Sequence, residues 1–174
     1  MTAMNTMPTR RRTDPANPAQ PNRLAVGDPG LAIIRRFDHF RAEPYLHRKG
    51  YHAIGYGRRI RDWGIDLLDP PIARAAAAYL LRKDIAPIEL YLNATTRVAL
   101  AQHQFDALVS LIFDIGIHAF ERSPLRAYLH QGESAAVVAE IYRYRDHGSS
   151  ADPSYPAHLR REAEARLFMG PPVK

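Results

Sequence analysis

Residues 37–58 read FDHFRAEPYLHRKGYHAIGYGR, and this stretch says most about the fold of the chain. It begins where a helical apolar pattern ends, and its tyrosines and isoleucine favour extended strands. Residues 48–50 favour a turn in which Gly50 takes a positive φ. Gly55 and Gly57 are typical of backbone that bends or approaches another group closely. The stretch therefore predicts the end of a helix, a short hairpin and a glycine-spaced turn.

Helical patterns surround this stretch on both sides. Asp28 is a plausible N-cap, and Pro29 fits the first helical position because its missing N–H does no harm there. Downstream, Ala76, Tyr79 and Leu80 repeat at helical spacing. Gly116 is expected to stop a mostly apolar helix that is buried centrally. The chain is predicted to be helical from about residue 71, with an alanine-rich stretch at 73–81. Further helices are predicted at 97–115, 123–131, 134–146 and 157–168, and residues 147–153 form a loop by composition.

Composition limits the class of protein. The chain has 174 residues, no cysteine and a formal charge of +6 with a pI near 9.8. This length suits one domain of moderate size or two small lobes that share a core. The absence of cysteine excludes disulfides and thiolate metal sites. No run of about 18 apolar residues occurs, so no transmembrane helix is expected. The basic balance favours polyanions such as cell-wall polymers, lipopolysaccharide, acidic membranes or nucleic acid.

Residues 1–28 differ from the rest of the chain. They contain prolines at 8, 15, 18 and 21 and the basic cluster 10–12, with almost nothing that could fill a core. We interpret them as an extended, disordered tail. The arginine run is a weak signal for binding nucleic acid or an acidic partner. The basic N-terminus is not followed by an apolar stretch, which predicts no secretory signal peptide.

Three motifs, in order across residues 29–170, carry a resemblance to a known family. The first is Asp38, with eight residues before His47 and five more before Ala53. The second is QFDALVSLIFDIG at 104–116, followed by AFERSPL at 119–125, and the third is LRREAEARLF at 159–168. Together they resemble the phage-type lysozymes (endolysins, muramidases).

The resemblance implies an α+β, lysozyme-like fold. A small lobe, about 41–70, would carry a three-stranded antiparallel sheet, and a larger helical lobe would cover about 71–170. A sugar-binding cleft would run between them. The expected organisation is thus a tail at 1–28 and a lysozyme-like domain at 29–174.

The resemblance also assigns the catalytic positions. The family's glutamate acid corresponds to Asp38, its aspartate to His47 and its threonine to Ala53. Asp38 keeps a carboxyl group that lies about 1.5 Å further back. His47, when neutral, can act only as a base in a changed mechanism. Ala53 cannot hold a water molecule, so weak or absent turnover is expected.

Further site residues follow from the resemblance. Tyr56, Arg58 and Asp114 are expected to bind substrate. Arg58 stands where the family usually has a histidine that pairs with an acidic group of the small lobe, so Arg58 either makes the same pair or binds an acidic group of the ligand. His39, His47 and His52 show no recognised ligand spacing, and we predict no metal and no cofactor.

Three functions remain open from the sequence. The first is a peptidoglycan-degrading lysozyme whose turnover is impaired or lost, with glycan binding retained. The second is a non-catalytic lysozyme-fold component of a virion, of lysis control or of a protein complex, with a phage protein as partner. The third is a nucleic-acid-binding protein that acts through its basic tail, which we regard as the weakest. The expected ligand is a peptidoglycan strand or another cell-wall glycan, reached from the cytoplasm by a holin, by lysis or within a virion.

Overall fold

The computed structural model describes residues 23–47, 49–60, 71–146 and 157–170. Seven helices and a three-stranded sheet make up this part of the chain. The elements are α1 (Asp28–Phe37), β1 (Arg41–Leu46), β2 (His52–Gly55), β3 (Arg58–Arg59), α2 (Arg74–Thr95), α3 (Gln102–Ile115), α4 (Ile117–Glu121), α5 (Leu125–Gln131), α6 (Ser134–Arg143), a 3-10 turn (Tyr144–Asp146) and α7 (Ala157–Met169).

The sheet is a three-stranded antiparallel meander: the residue pattern predicted its hairpin, and the resemblance implied its three strands. The order is β1-β2-β3, with Tyr45 opposite Ala53 and Ala53 opposite Arg59. Gly50 takes φ +80° at the first turn, as the turn pattern requires. At the end of β2, a Cβ on Gly55 would lie 3.2 Å from the Cβ of Ala77. A glycine therefore lets the sheet approach α2 closely, which fixes the small lobe against the helices.

Helix α3 lies at the centre of the helical lobe. Most of its side chains are buried, and α1 and α7 pack against it. It ends at Gly116, whose φ is +86°, which confirms the predicted stop. It begins at residue 102 rather than 97, because Gln104 accepts a hydrogen bond from the Ala101 N–H and caps the helix there.

Helix α2 begins at Arg74, within the stretch predicted to be helical, and continues well past its alanine-rich part. It runs to residue 95 and passes through Pro87, although proline removes a helical hydrogen bond. Burial of the apolar face of α2 outweighs that cost, and the Tyr79 side chain lies off this face, 60% exposed. The buried residues are Ala77, Leu81, Ile85, Ile88 and Leu92.

The segment before α1 packs on the helical lobe, which corrects the expected start of the folded domain at residue 29. Val26 is 4% exposed, and its N–H donates to the Glu89 carboxylate at 2.7 Å. Gly27, rather than Asp28, is the N-cap of α1, and its N–H donates to Asp106 at 2.8 Å. Residues 1–22 of the predicted tail and the predicted loop 147–153 lie outside the described residues. No helix in the described ranges is long and apolar enough to cross a membrane.

Candidate active site

A cleft of about 730 Å³ lies between the sheet and the helices. Its walls come from the β1–β2 turn, the β2–β3 turn, the middle of α2 and the end of α3. The cleft brings together four of the predicted site residues: Asp38, His47, Arg58 and Asp114. The two lobes expected from the sequence thus enclose a site large enough for a small ligand.

Asp38 lies at the C-terminal end of α1. It is the C-cap residue, and its N–H donates to the Ile34 carbonyl at 2.8 Å. Its carboxylate Oδ2 accepts a hydrogen bond from Arg160 Nη1 at 2.7 Å. The β2–β3 turn approaches closely, since a Cβ on Gly57 (φ +78°) would lie 3.4 Å from Asp38 Oδ1. Position 38 is therefore fixed by a buried arginine on one side and a glycine turn on the other.

Behind Asp38 lies a buried ionic cluster supplied by α7. Arg160 and Arg161 are 2% and 0% exposed, and both pair with the fully buried Glu164. Glu164 also accepts a hydrogen bond from Ser110 Oγ at 2.7 Å. Burial raises the pKa of Glu164, against the lowering effect of Arg161, Arg160 and Ser110. Burial opposes the charge of Arg160, but Asp38 and the neighbouring carboxylates outweigh it, so the pKa of Arg160 is raised.

Asp114 connects this cluster to the tip of the β1–β2 hairpin. Its Oδ2 accepts a hydrogen bond from Arg161 at 2.9 Å. Lys49 Nζ lies 3.3 Å from its Oδ1 and also donates to its main-chain carbonyl. Because Lys49 belongs to the small lobe and Asp114 lies in the last turn of α3, this contact spans the cleft. The resulting chain of alternating charges runs through Lys49, Asp114, Arg161, Glu164, Arg160 and Asp38.

His47, which the resemblance aligns with the family's aspartate, is only 8% exposed. Its ring is stacked on Tyr51, with centroids 4.6 Å apart and planes 9° from parallel. Its Nδ1 accepts a hydrogen bond from the Lys49 N–H at 3.2 Å, which assigns the proton of a neutral ring to Nε2. Tyr51 also carries the Arg59 guanidinium at 5.1 Å from its ring centroid. The histidine is thus part of an ordered aromatic wall of the cleft.

Two predicted site residues do not reach the cleft. Ala53 is completely buried in the middle of the sheet. Tyr56 is 6% exposed, packs against Phe40 with ring centroids 5.8 Å apart, and accepts a long hydrogen bond from Arg74 at 3.5 Å. Its ring lies in the core beside the β2–β3 turn and outside the lining of the cleft, and substrate binding by Tyr56 stays a prediction.

Arg58 forms an ion pair with the helical lobe rather than with an acidic group of the small lobe. Its Nη1 lies 2.5 Å from Asp84 Oδ1 on α2. Burial raises the pKa of Asp84, and the Arg58 charge opposes this shift. The pair joins β3 to α2 at the floor of the cleft.

Sequence reasoning missed Lys49, Arg160, Arg161 and Glu164 as parts of this site. Arginine and glutamate are mostly exposed in proteins, so their position in a helical pattern gave no warning of burial. The sequence offered only an indirect indication of these cations, because carboxylates that line a cleft need positive charges nearby. In the described ranges, no three potential metal-ligating side chains form a group.

Known proteins share this architecture. The phage lysozyme family model matches residues 35–164. An endolysin of Acyrthosiphon pisum secondary endosymbiont phage 1 is 32% identical over 147 residues, which cover 83% of this chain and 98% of that protein. The muramidase domain of SpmX from Asticaccaulis excentricus superposes with a TM-score of 0.72, at 28% identity, over 86% of this chain and 100% of that domain. An endolysin from Escherichia coli O157:H7 phage FAHEc1 gives a TM-score of 0.74 at 25% identity, over 87% and 96% of the two chains.

The family match begins within α1 and ends within α7. It therefore spans the sheet, the cleft and the helix that supplies the buried arginines. With a relative of nearly full length at 32% identity, this chain belongs to the phage lysozyme family.

Proposed function

We propose that the protein binds the glycan strand of peptidoglycan in its cleft and hydrolyses it weakly or not at all. The relatives are endolysins and a muramidase domain, which supports a cell-wall glycan as the ligand. Ala53 is the observation that carries the second half of the proposal. At the place of the family's threonine it presents only a methyl group, and that group is completely buried.

Hydrolysis of a glycosidic bond needs an acid on one side of the sugar and an activated water on the other. Asp38 keeps a carboxyl group in the cleft, but its side chain is one methylene shorter than glutamate. A displacement near 1 Å can reduce the rate about 100-fold. His47 is stacked on Tyr51 and has no negative charge to offer a developing oxocarbenium ion. These features support a site with its acid half retained and its water-holding half absent.

The test compares the parent with a variant that carries the family's residues, Asp38→Glu, His47→Asp and Ala53→Thr. Both are assayed for release of reducing ends from purified peptidoglycan and for saturable binding to it. We expect the parent to bind without measurable release and the triple variant to gain release. The matched control carries Asp38→Gln with the same two other changes, which restores the shape of the site without the acid.

A parent that releases reducing ends at the rate of an active endolysin would contradict the loss of turnover. A parent that shows no saturable binding would contradict the glycan function. Because Ala53 is fully buried, threonine there can cost about 1–3 kcal/mol by overpacking. The melting temperature of each variant is therefore measured beside its activity.

A further inference from the structure

Arg59 is the last residue of β3, and its side chain lies on the cleft wall and is exposed. Within the described ranges, its guanidinium has a ring contact to Tyr51 and no ion-pair partner. This makes it different from the other cations of the cleft, each of which faces a carboxylate.

The carboxylates of the cleft are all engaged by other cations. The pairs are Asp38 with Arg160, Asp84 with Arg58, and Asp114 with both Lys49 and Arg161. Glu164 lies behind them between two arginines. Counted over these described groups and Arg59, five cations face four carboxylates. The excess positive charge therefore belongs to Arg59, and it lies on the open side of the cluster.

Arg59 adjoins both positions from which the water-holding groups are absent. It is opposite Ala53 in the register of β2 and β3, a pairing that brings Cβ atoms to about 5 Å. Its guanidinium lies over Tyr51, whose ring is stacked on His47. The aromatic stack limits the rotamers of Arg59, so less entropy is lost when a ligand binds it.

We propose that Arg59 makes this cleft selective for glycans that carry a carboxylate, which would lie against the cleft wall formed by Tyr51 and Arg59. This inference rests on the proposed glycan binding. A planar guanidinium matches a carboxylate with two parallel hydrogen bonds. The muramyl residues of peptidoglycan provide such a group, either as a free lactyl carboxylate or as the carboxylates of an attached stem peptide.

Isothermal titration calorimetry with full-length protein tests the proposal. The first ligand is a tetrasaccharide of alternating N-acetylglucosamine and N-acetylmuramic acid with free lactyl carboxylates. The second is the same tetrasaccharide with its carboxyl groups reduced to alcohols, and the third carries stem peptides on the lactyl groups. Comparison of the first and third ligands distinguishes the two sources of the carboxylate.

The variant is Arg59→Met, which keeps an apolar stem over Tyr51 and removes the charge. Arg41→Met is the matched control, because Arg41 forms the same kind of contact with Tyr45 (4.8 Å) on β1 but does not line the cleft. Both variants lose one positive charge, so a general electrostatic effect would appear in both.

We expect Arg59→Met to weaken binding of a carboxylate-bearing ligand about tenfold and to leave binding of the reduced tetrasaccharide unchanged. Arg41→Met should change neither by more than about twofold. Higher salt should weaken only the charged ligands. Equal binding of charged and reduced ligands by the parent, or an equal loss in both variants, would overturn the role of Arg59 while glycan binding stands. Absence of binding of every ligand by the parent would overturn the proposed function and this inference together.

Discussion

Replacing Arg160 with methionine should destabilise the protein far more than the same change six residues later on α7. The Arg160 side chain is 2% exposed and donates to Asp38 Oδ2 at 2.7 Å, Glu164 Oε1 at 3.1 Å and the Ser110 carbonyl at 3.1 Å. Glu164 keeps Arg161 and the Ser110 hydroxyl in the variant. Asp38, however, loses the only cation that the structure gives it among the described residues.

The cost follows from these contacts. A buried hydrogen bond to a charged group contributes about 1.5–3 kcal/mol, and removing one partner of a buried ion pair costs about 3–5 kcal/mol. We therefore expect Arg160→Met to lower the free energy of unfolding by about 3–5 kcal/mol. For a chain of this size, each kcal/mol shifts the melting temperature by roughly 2–4 °C, which gives a fall of roughly 6–20 °C.

The matched control is Arg166→Met. Arg166 lies on the same helix and pairs with Glu162 at 2.6 Å, but its side chain is 77% exposed. Exposed pairs of this kind contribute about 0.3–0.5 kcal/mol. Urea unfolding followed by circular dichroism measures both variants. A difference below about 1 kcal/mol between the two variants in the free energy of unfolding would refute the reasoning. A double-mutant cycle of Asp38→Asn and Arg160→Met is a second test, because coupled residues should show about 0.5–3 kcal/mol of interaction energy, and strict additivity would also refute it.

Two further predictions concern Glu164 and Lys49. Burial raises the pKa of Glu164, so the folded state keeps this proton to higher pH than the unfolded state, and stability is lost as pH rises from about 4.5 through the folded pKa. The free energy of unfolding of Glu164→Gln relative to the parent should therefore increase from pH 4 to pH 8 in urea titrations; a constant difference would contradict it. Lys49→Ala removes a half-exposed ion pair across the cleft that contributes about 0.2–1 kcal/mol. The Gly50 amide next to it donates to the His47 carbonyl, and its hydrogen exchange should become about two- to fivefold faster. Unchanged exchange, or a gain that persists at high salt, would argue against the contact.

The sequence predicted the fold because its signals were local or came in a fixed order. The hairpin around Gly50 and the stop at Gly116 each need a backbone conformation that glycine adopts easily, and both are confirmed. The three ordered motifs then identified the family and with it the two lobes. The buried face of α2 could not be predicted from its alanine-rich stretch, because such a stretch fits several faces and only packing against the sheet selects one.

The sequence could predict the role of a site residue only where the residue type at that position decides its chemistry. Ala53 cannot hold water in any fold, whereas Tyr56 has a side chain that suits either a core or a cleft. Its burial depends on the β2–β3 turn and on Phe40, which lies far from it in sequence. The arginines of α7 are further still: Arg160 meets Asp38 across 122 positions of the chain. No local pattern reports a contact of that kind.

The buried ionic cluster behind the cleft explains the presence of Asp38 without reference to any reaction. Arg160 cannot be buried alone, and Asp38 is one of the few groups that neutralise it. A chain that gave up hydrolysis would still unfold more easily if it replaced this carboxylate with a neutral side chain. A carboxylate at position 38 is therefore explained by folding alone, and its presence is no evidence of hydrolysis.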